Sequence, residues 1–373
     1  MGNIAMVDLV GQYQHIENEI SSKFQEILQS AAFIGGKYVM EFCDNLGKYL
    51  DVAHVIPCAN GTDALQLALM AMDLKPGDEV ITTSFTFVAT AEVIALLGLK
   101  PVFAEIDPHT FNIDPADIES KITDRTKCII PVHLFGQAAD MDAIMKISKN
   151  HGIPVIEDNA QAIGCFYDDG VTRGYTGTMG QIGTCSFFPS KNLGCYGDGG
   201  AVTTNDEELG GKLKMIANHG SSKRYHHALI GVNSRLDNLQ AAVLHTKLPH
   251  LNDYNAARRQ AAAMYDEKLA EVAEISAPIR DTKSKHVFHQ YTLRVHKERN
   301  GLAEHLKAEG IAHGIYYPIP LHLQEAYTAS GYGVGDLPVT EQASLEVLSL
   351  PIHSEMNEHI IDTVVNAIKS FYA

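Results

Sequence analysis

The stretch EVITTSFTFVATAEVIALLGLKPVFAEI, residues 79–106, decides the fold, because it contains two short apolar runs on either side of a helical pattern. The runs at residues 79–83 and 101–106 are rich in β-branched and aromatic residues and have the length of buried strands. Residues 89–97 between them are apolar at helical spacing. Strand, helix and strand in this order predict two parallel strands joined by a crossover helix.

The same alternation extends over residues 52–204. Residues 64–72 form another apolar helical segment, and four further β-rich runs lie at residues 128–133, 154–158, 184–188 and 200–204. Helices of this kind cover both faces of a parallel sheet, whose strands are buried on both sides. The sequence therefore predicts an α/β fold around a parallel sheet.

A second, smaller lobe follows the sheet. Residues 237–272 have a long helical pattern that Pro249 interrupts. The remainder contains strand candidates at 290–295 and 311–317 and helix candidates at 300–309 and 357–371. At 373 residues the chain also exceeds the usual size of a single core. We therefore expect a large domain over residues 1–245, which includes an N-terminal helix, and a small α/β domain over residues 246–373.

Charge and cysteine content disfavour several classes of function. The formal net charge of −16 opposes binding to nucleic-acid phosphates and anionic membrane surfaces. No apolar run is long enough to span a bilayer, and the N-terminus has no pattern typical of a secretory signal. The six cysteines have neither CxxC pairs nor zinc-like spacing. We therefore expect a cytoplasmic protein without a metal site, a nucleic-acid partner or a membrane partner.

One basic cluster departs from this acidic average. HGSSKRYHH, residues 219–227, is followed closely by Arg235. A short patch of this kind suits a small phosphorylated ligand better than a polymer, and a solvated surface loop can have the same composition.

Parallel sheets bind ligands beyond the carboxyl ends of their strands, and four notable segments fall there. In NGTDAL, residues 60–65, small residues lead into a helix, so that backbone N–H groups and the Thr62 hydroxyl could bind a phosphate. An ordinary helix N-cap has the same pattern. In SFTFVAT, residues 84–90, Phe87 could lie against a flat ligand ring, although most aromatic side chains at such positions pack in the core.

The other two segments carry an acid and a lysine. In IEDNAQAIG, residues 156–164, Asp158 ends an apolar strand, where a carboxylate is costly unless a cation or several donors face it. A protonated ring nitrogen would be such a cation, and capping of the next helix is the alternative. In SFFPSKNLGCYGDGG, residues 186–200, Lys191 enters a glycine-rich loop, where desolvation would lower its pKa as imine formation requires. Most lysines, however, simply point at water.

These four segments, followed by GVNSRLDNLQAA at residues 231–242, resemble the succession of motifs in the DegT/StrS family of sugar-nucleotide aminotransferases. The resemblance covers nearly the whole chain, from residue 7 to residue 322. It implies fold type I of the pyridoxal-phosphate aminotransferases, with a mostly parallel, seven-stranded sheet in the large domain and a smaller C-terminal α/β domain. It also implies pyridoxal 5′-phosphate as cofactor, pyridoxamine 5′-phosphate as its second form, and a homodimer with shared active sites.

The resemblance assigns roles to individual residues. Lys191 would bond to the cofactor, Asp158 would pair with its ring nitrogen, and Gln161 would contact its ring hydroxyl. The remaining cofactor contacts would be Gly61, Thr62 and Ser186 at the phosphate, Phe87 stacked on the ring, and Asn233 reaching the phosphate from the partner subunit.

Five further residues fall in segments that lie near the substrate in this family, namely His219, Tyr225, Arg235, Tyr316 and Tyr317. Relatives often have a histidine where this chain has Tyr316, which leaves the contacts to the substrate's phosphates open.

The implied reaction moves the amino group of L-glutamate to a keto sugar linked to a nucleotide. CANGTDALQLAL and FFPSKNLGCYGDGG resemble members that aminate carbon 3 of UDP- or dTDP-linked sugars, in the synthesis of amino sugars for surface polysaccharides. Amination at carbon 4 is the alternative within the family. An arginine at position 235 is common in the family, so it does not decide whether the sugar carries a carboxylate.

Four other kinds of protein make different demands on the sequence. A regulatory relative without turnover would be expected to lose Lys191 or Asp158, and a dehydratase-type member would have a histidine in place of Lys191. A desulfurase would need a mobile cysteine, for which Cys195 is the nearest candidate. A nucleotide-binding oxidoreductase would need a GxGxxG fingerprint after an early strand, and none occurs there.

Overall fold

The computed structural model describes residues 3–373, which form twelve α-helices and fourteen strands. The helices are α1 (Leu9–Ser30), α2 (Lys37–Leu50), α3 (Gly61–Ala71), α4 (Ala89–Leu96), α5 (Pro115–Ser120), α6 (Met141–His151), α7 (Glu207–Ala217), α8 (Asn238–Lys247), α9 (Leu251–Leu269), α10 (Arg299–Ala308), α11 (Pro338–Glu346) and α12 (Glu358–Tyr372). The strands are β1 (His54–Cys58), β2 (Glu79–Thr83), β3 (Lys100–Ala104), β4 (Thr126–Ile130), β5 (Ile156–Asp158), β6 (Phe166–Asp168), β7 (Arg173–Tyr175), β8 (Ile182–Ser186), β9 (Gly200–Thr204), β10 (Ser221–Lys223), β11 (His226–His227), β12 (Ile275–Ser276), β13 (Tyr291–Val295) and β14 (Val347–Leu350). Short 3₁₀ turns occupy Leu134–Gly136, Leu248–His250, Leu321–Leu323 and Glu325–Ser330.

Seven of the strands form the central sheet of the molecule. Four lie in the order β1-β9-β8-β5 and three in the order β3-β2-β4. Parallel bridges from Ile129 to Val155 and from Val132 to Asp158 join β4 to β5, which makes one sheet of the two groups. Only β9 runs antiparallel to its neighbours in this sheet. The expected α/β fold with a mostly parallel, seven-stranded sheet is therefore confirmed.

Successive residues of the central strands face opposite sides of this sheet. Val80 of β2 packs into a core with α3, α4 and α7, whereas Ile81 packs into a second core with α5 and α6. All five residues of β2 are buried, as expected for a strand with helices on both faces. The bounds of β2 and β9 match the sequence prediction, and the other four predicted runs overlap β3, β4, β5 and β8 with ends shifted by a few residues.

The smaller lobe is built around the antiparallel sheet β12-β13-β14. Its core contains side chains of α9, α10 and α12 together with Leu293 and Leu348 of the sheet. The predicted strand at residues 311–317 is wrong, because those residues form only isolated bridges, Ile311 with Ile4 and Gly314 with Ser349. The strand that pairs with β13 is β14, whose four residues are all buried.

The helical stretch after the large sheet continues past its proline. Pro249 lies at the start of the 3₁₀ turn Leu248–His250 between α8 and α9, where a missing N–H costs little. The predicted domain boundary at residue 245 falls within α8, and this division stays a prediction.

Residues 3–373 contain neither a membrane-spanning helix nor a cluster of metal ligands. Within this range no helix combines the length and apolar character required to cross a membrane. The same residues contain no group of three or more His, Cys, Asp or Glu side chains placed to hold a metal ion.

Candidate active site

A cavity of about 340 Å³ opens at the carboxyl ends of β5 and β8 and is closed on one side by residues of the small lobe. This is the edge at which open parallel sheets bind their ligands. Nine of the residues predicted for the site line this cavity, namely Gly61, Thr62, Phe87, Asp158, Gln161, Ser186, Lys191, Tyr316 and Tyr317. Tertiary folding thus brings together residues that are up to 256 positions apart in the sequence, from Gly61 to Tyr317.

One end of the cavity is the N-terminus of α3. The Asn60 side chain caps this helix by accepting a hydrogen bond of 2.8 Å from the Asp63 N–H. The first-turn N–H groups of Gly61 and Thr62 have no acceptor within the helix and lie at the positive end of its dipole. A Cβ on Gly61 would lie 2.7 Å from the Cβ of Ser186, so only glycine allows this close approach. The arrangement suits a phosphate, with two hydroxyls and free N–H groups around it.

Asp158, at the end of β5, is the acid of the cavity. Its two oxygens accept hydrogen bonds from the Thr90 hydroxyl (2.8 Å) and the Ala160 N–H (3.1 Å). Burial raises the pKa of Asp158, and these two donors and the charge of Lys191 oppose the rise. A carboxylate in this position is stabilised further by any cationic ring nitrogen that enters the cavity.

Lys191, on the loop after β8, is the amine of the cavity. Its backbone N–H donates to the Phe188 carbonyl at 2.9 Å, which fixes the start of the loop. Removal of water lowers the pKa of Lys191 to about 8, although the charge of Asp158 opposes this fall. The neutral, nucleophilic form of the amine is therefore more accessible near neutral pH than that of an exposed lysine, and the pKa is lowered in the direction that the sequence predicted.

Gln161 is held on both sides of its amide group. Its Oε1 accepts from the Phe135 N–H at 2.8 Å, and its Nε2 donates to the Tyr317 hydroxyl at 3.0 Å. The bond to Tyr317 joins the large-domain loop after β5 to the small lobe. The second hydrogen of Nε2 stays available for a ligand.

Phe87 presents its ring to the mouth of the cavity. It is 57% exposed, and Phe188 across the cavity is 52% exposed. Aromatic rings of this size are normally covered in a folded protein, so both are open surfaces for a flat ligand or another chain. Phe87 is thus not a core residue, which was the alternative left open by the sequence.

The other four predicted site residues lie outside this cavity. His219, Tyr225, Asn233 and Arg235 are exposed on the segment that contains the β10–β11 hairpin. The ends of this segment are tied together by the His219 N–H, which donates to the Val232 carbonyl at 2.8 Å. In a single chain these side chains do not complete the site, and their roles stay predictions.

Two cavity residues escaped the sequence reasoning. Thr90, whose hydroxyl holds Asp158, follows Phe87 by three positions, so helical spacing could have placed both on one face. His289 is buried against the cavity just before β13, and nothing in its local sequence indicates that position.

Cys195 does not have the properties of a catalytic cysteine. It is fully buried, its thiol donates to the Phe187 carbonyl at 2.9 Å, and burial raises its pKa to about 12. A thiolate nucleophile requires a lowered pKa and an accessible sulfur. The desulfurase alternative is therefore not supported at this residue.

Pyridoxal phosphate fits these residues. The α3 end offers a phosphate cradle, Asp158 an acid for a basic ring nitrogen, Lys191 an amine for an aldehyde, and Phe87 an open aromatic face. This fit allows no residue larger than glycine at position 61, since a side chain there would fill the space for the phosphate.

Comparison with known proteins gives the same assignment. A model of the DegT/DnrJ/EryC1/StrS aminotransferase family matches residues 14–369. The pleiotropic regulatory protein of Geobacillus stearothermophilus is 49% identical over 372 residues, which cover 99% of each chain. The UDP-2-acetamido-2-deoxy-3-oxo-D-glucuronate aminotransferase of Pseudomonas aeruginosa is 45% identical and covers 98% of this chain and 99% of its own. The UDP-N-acetyl-3-dehydro-alpha-D-glucosamine 3-aminotransferase of Acidithiobacillus ferrooxidans is also 45% identical, over 98% of this chain and 97% of its own.

A solved structure extends the match to three dimensions. NtdA of Bacillus subtilis, crystallised with bound pyridoxamine phosphate, superposes with a TM-score of 0.87 at 33% identity, over 95% of this chain and 81% of that one. The cofactor that the cavity fits is thus the one seen in a related fold. This chain belongs to the DegT/DnrJ/EryC1/StrS aminotransferase family and is an enzyme whose cofactor is pyridoxal 5′-phosphate.

Proposed function

We propose that this enzyme transfers the amino group of L-glutamate to carbon 3 of a keto sugar linked to UDP or dTDP, as a step in the synthesis of amino sugars for surface polysaccharides. The observation that supports it most directly is the common cavity of Lys191 and Asp158, with the Gly61 cradle beside them. An amine with a lowered pKa, an acid and a phosphate site are the three groups that transamination with this cofactor requires.

When bound, pyridoxal phosphate supplies an aldehyde that takes up and releases the amino group, and a ring that accepts negative charge from the neighbouring carbon. Lys191 is proposed to hold the cofactor through its Nζ. The Nζ, when not bonded to the cofactor, would also carry a proton to and from the substrate carbon that bears the nitrogen. Asp158 keeps negative charge beside the ring nitrogen, and Thr90 and Ala160 fix its two oxygens.

The remaining predicted residues divide between cofactor and substrate. Gly61, Thr62 and Ser186 are proposed to hold the phosphate, Phe87 to lie on the ring, and Gln161 to donate to the ring hydroxyl. The substrate contacts are proposed to come from Tyr316 and Tyr317 of the cavity and from the exposed residues His219, Tyr225 and Arg235.

Amination at carbon 3 is preferred because both 45% identical relatives are named for 3-keto sugars, each linked to UDP. One of these sugars is a uronic acid and the other is a glucosamine, so similarity does not decide whether the substrate carries a carboxylate. Amination at carbon 4 is the alternative, since it requires the same residues around the cofactor.

A homodimer with shared active sites is part of this proposal. Side chains of Phe87, Phe188 and Tyr225 are more than half exposed, and Ile230 of the neighbouring loop is 88% exposed. Apolar side chains so exposed, at the mouth of the cavity (Phe87, Phe188) and on the hairpin segment outside it (Tyr225, Ile230), favour cover by a second chain. Asn233 is proposed to reach the phosphate of the partner's site from this loop.

A panel of nucleotide-linked keto sugars tests the proposal. Each is incubated with cofactor-loaded enzyme and L-glutamate, and mass spectrometry follows replacement of the keto oxygen by an amino group. We expect amination of UDP- or dTDP-linked 3-keto sugars and formation of the oxo acid of glutamate. Amination of 4-keto sugars alone would establish the alternative position. No amination of any sugar would contradict the proposal and favour a regulatory role such as the name of the 49% identical relative states.

A further inference from the structure

His289 is a buried side chain of the active cavity that the mechanism above does not use. It is only 6% exposed and lines the same cavity as Lys191 and Asp158. Its Nδ1 is closed off from solvent and has no hydrogen-bond partner, whereas its Nε2 is not closed off in this way. The imidazole therefore offers one nitrogen to the cavity.

The backbone around His289 is held from three sides. The buried Arg258 guanidinium donates to the carbonyls of Phe288 (3.1 Å), His289 (3.4 Å) and Ile352 (2.9 Å). Asn192, the neighbour of Lys191, donates to the Val287 carbonyl at 2.9 Å. This bond ties the loop of the catalytic lysine to the segment that carries the imidazole.

A close backbone contact completes this support. A Cβ on Gly136 would lie 2.8 Å from the backbone nitrogen of His289, so the two segments touch along their main chains. The Gln290 N–H also donates to the Phe135 carbonyl at 3.2 Å. The backbone that carries this buried imidazole is therefore held in one place.

The surroundings also fix the protonation state of the imidazole. Burial holds the pKa of His289 well below its ordinary value, and the charges of Lys191 and Arg258 lower it further. The ring is therefore neutral, with one proton on one nitrogen. A buried donor without a partner is less well tolerated than a buried acceptor without one, so the proton belongs on Nε2 and Nδ1 stays bare.

We propose that His289 is a further active-site residue, whose Nε2–H donates a hydrogen bond to the carbonyl oxygen of the keto substrate. The inference rests on the proposed transamination, because that reaction replaces a carbonyl oxygen by nitrogen in each direction. The reacting carbon must come within reach of the Lys191 amine, and His289 lines the same cavity, close enough for the Lys191 charge to lower its pKa. A preorganised donor at this oxygen stabilises the charge that develops there.

The step that His289 assists conserves atoms and electrons. The amine nitrogen forms a bond to the carbonyl carbon, and the electron pair of the carbonyl π bond moves to the oxygen. The C–O bond then breaks, and the oxygen leaves as water with the two protons that the nitrogen gives up. His289 keeps its own proton throughout and serves as a hydrogen-bond donor to the oxygen.

Infrared spectroscopy tests the contact directly. The aldehyde form of the enzyme is mixed with 2-oxoglutarate carrying ¹³C at its keto carbon, with which it cannot exchange an amino group. A second arm uses a UDP-linked 3-keto sugar labelled in the same way. In at least one arm we expect the carbonyl stretch to lie at lower frequency with the unmodified enzyme and His289→Gln than with His289→Leu. Equal frequencies with all three proteins in both arms would overturn the proposal.

Single-turnover rates give the expected size of the effect. In the half-reaction whose carbonyl stretch is shifted, His289→Leu should lower the single-turnover rate on the order of 10²-fold at saturating substrate. The affinity for the cofactor should be unchanged. His289→Gln should recover much of that loss, because its amide can also donate. His286→Gln is the matched control, since His286 is buried on the same segment and stacks on Phe288 at 3.8 Å outside this cavity.

Nitrogen NMR of the cofactor-free protein decides the proton position without any turnover. With ¹⁵N-labelled histidine, the imidazole signals absent from His289→Gln are those of His289. We expect one bare and one protonated nitrogen, with the proton on Nε2, unchanged between pH 6 and 8. A ring that titrates in this range, or that carries its proton on Nδ1, would refute the inference even if the enzyme proved to be a transaminase. The proposed function could in turn fail while this result stood.

Discussion

The active cavity and the segment 218–235 differ in how far one chain completes them. In the cavity, Asp158, Gln161 and Asn60 each have their side chains fixed by hydrogen bonds of 2.8–3.1 Å. In the segment, Tyr225 is 80% exposed, and no contact holds the side chain of Asn233 or Arg235 among the described residues. Both regions were assigned to the same site by the sequence.

This difference separates the residues that would act on the cofactor from those assigned to the substrate and to the partner subunit's site. The groups that would act on the cofactor are pre-organised by the sheet and by α3, as chemistry at a fixed ring requires. The groups assigned to the substrate and to the partner's phosphate stand free in solvent, as expected of residues that are ordered only by a ligand or a second chain. Four substitutions test this division.

The largest effect is expected at Lys191. Lys191→Ala should abolish transamination and the visible absorbance that the lysine-bound cofactor gives, because no other amine lines the cavity among the described residues. Lys247→Met is the matched control, since Lys247 is also buried with a pKa lowered to about 8 but contacts the Gly194 carbonyl instead. A visible band that sodium borohydride still fixes to the Lys191→Ala protein would refute the assignment.

A smaller loss is expected at Asp158. Asp158→Asn keeps the shape and one of the two accepting oxygens but removes the charge beside the ring nitrogen. Turnover should fall on the order of 10²- to 10³-fold, while the cofactor still binds. Asp198→Asn, at an exposed acid on the rim of the same cavity, should leave turnover nearly unchanged. Equal kinetics of the two variants would contradict the electronic role of Asp158.

Gly61→Ala tests the phosphate cradle. The added methyl group would lie 2.7 Å from the Ser186 Cβ, so the cradle must open. The dissociation constant of the cofactor should rise about tenfold to 10²-fold, which corresponds to about 1.4 to 2.8 kcal/mol. Gly211→Ala is the control, because no atom lies within 4 Å of a Cβ at that helical position. Fluorescence titration of the cofactor-free proteins measures the dissociation constants of both variants. An unchanged constant for Gly61→Ala would count against the cradle.

The smallest effect is expected from the exposed segment. Asn233→Ala should weaken cofactor binding about tenfold, as loss of one hydrogen bond to a charged group does. Asn218→Ala, which changes an exposed neighbour bridged to Asn233, serves as control. Mixed dimers decide which chain supplies the contact. In a dimer of Asn233→Ala with Lys191→Ala, the site that keeps Lys191 should regain full affinity, whereas a contact within one chain would leave it weakened.

The sequence predicted the central sheet and most of the cavity because both depend on local patterns. The β-branched run at residues 79–83 and the polar residues that follow each strand end are visible in the chain itself. The strand at 311–317 was predicted wrongly, since its apolar and aromatic residues line the cavity and pack on the large domain instead of pairing in a sheet. β14 was missed because four buried residues, VLSL, are too short a pattern to stand out.

The sequence alone determined the family, the parallel sheet, and the identity of the lysine, the acid and the glycine cradle, because motifs of fixed spacing place these groups at strand ends. Only the tertiary structure decided that Thr90 holds Asp158, that Cys195 is inert, and that His289 faces the cavity. The Thr90–Asp158 hydrogen bond joins residues 68 positions apart, and His289 lies 98 positions after Lys191 in the chain. Folding of the large domain brings Thr90 to Asp158 and buries Cys195, and packing of the small lobe against it brings His289 to the cavity. No local pattern in the chain encodes these contacts.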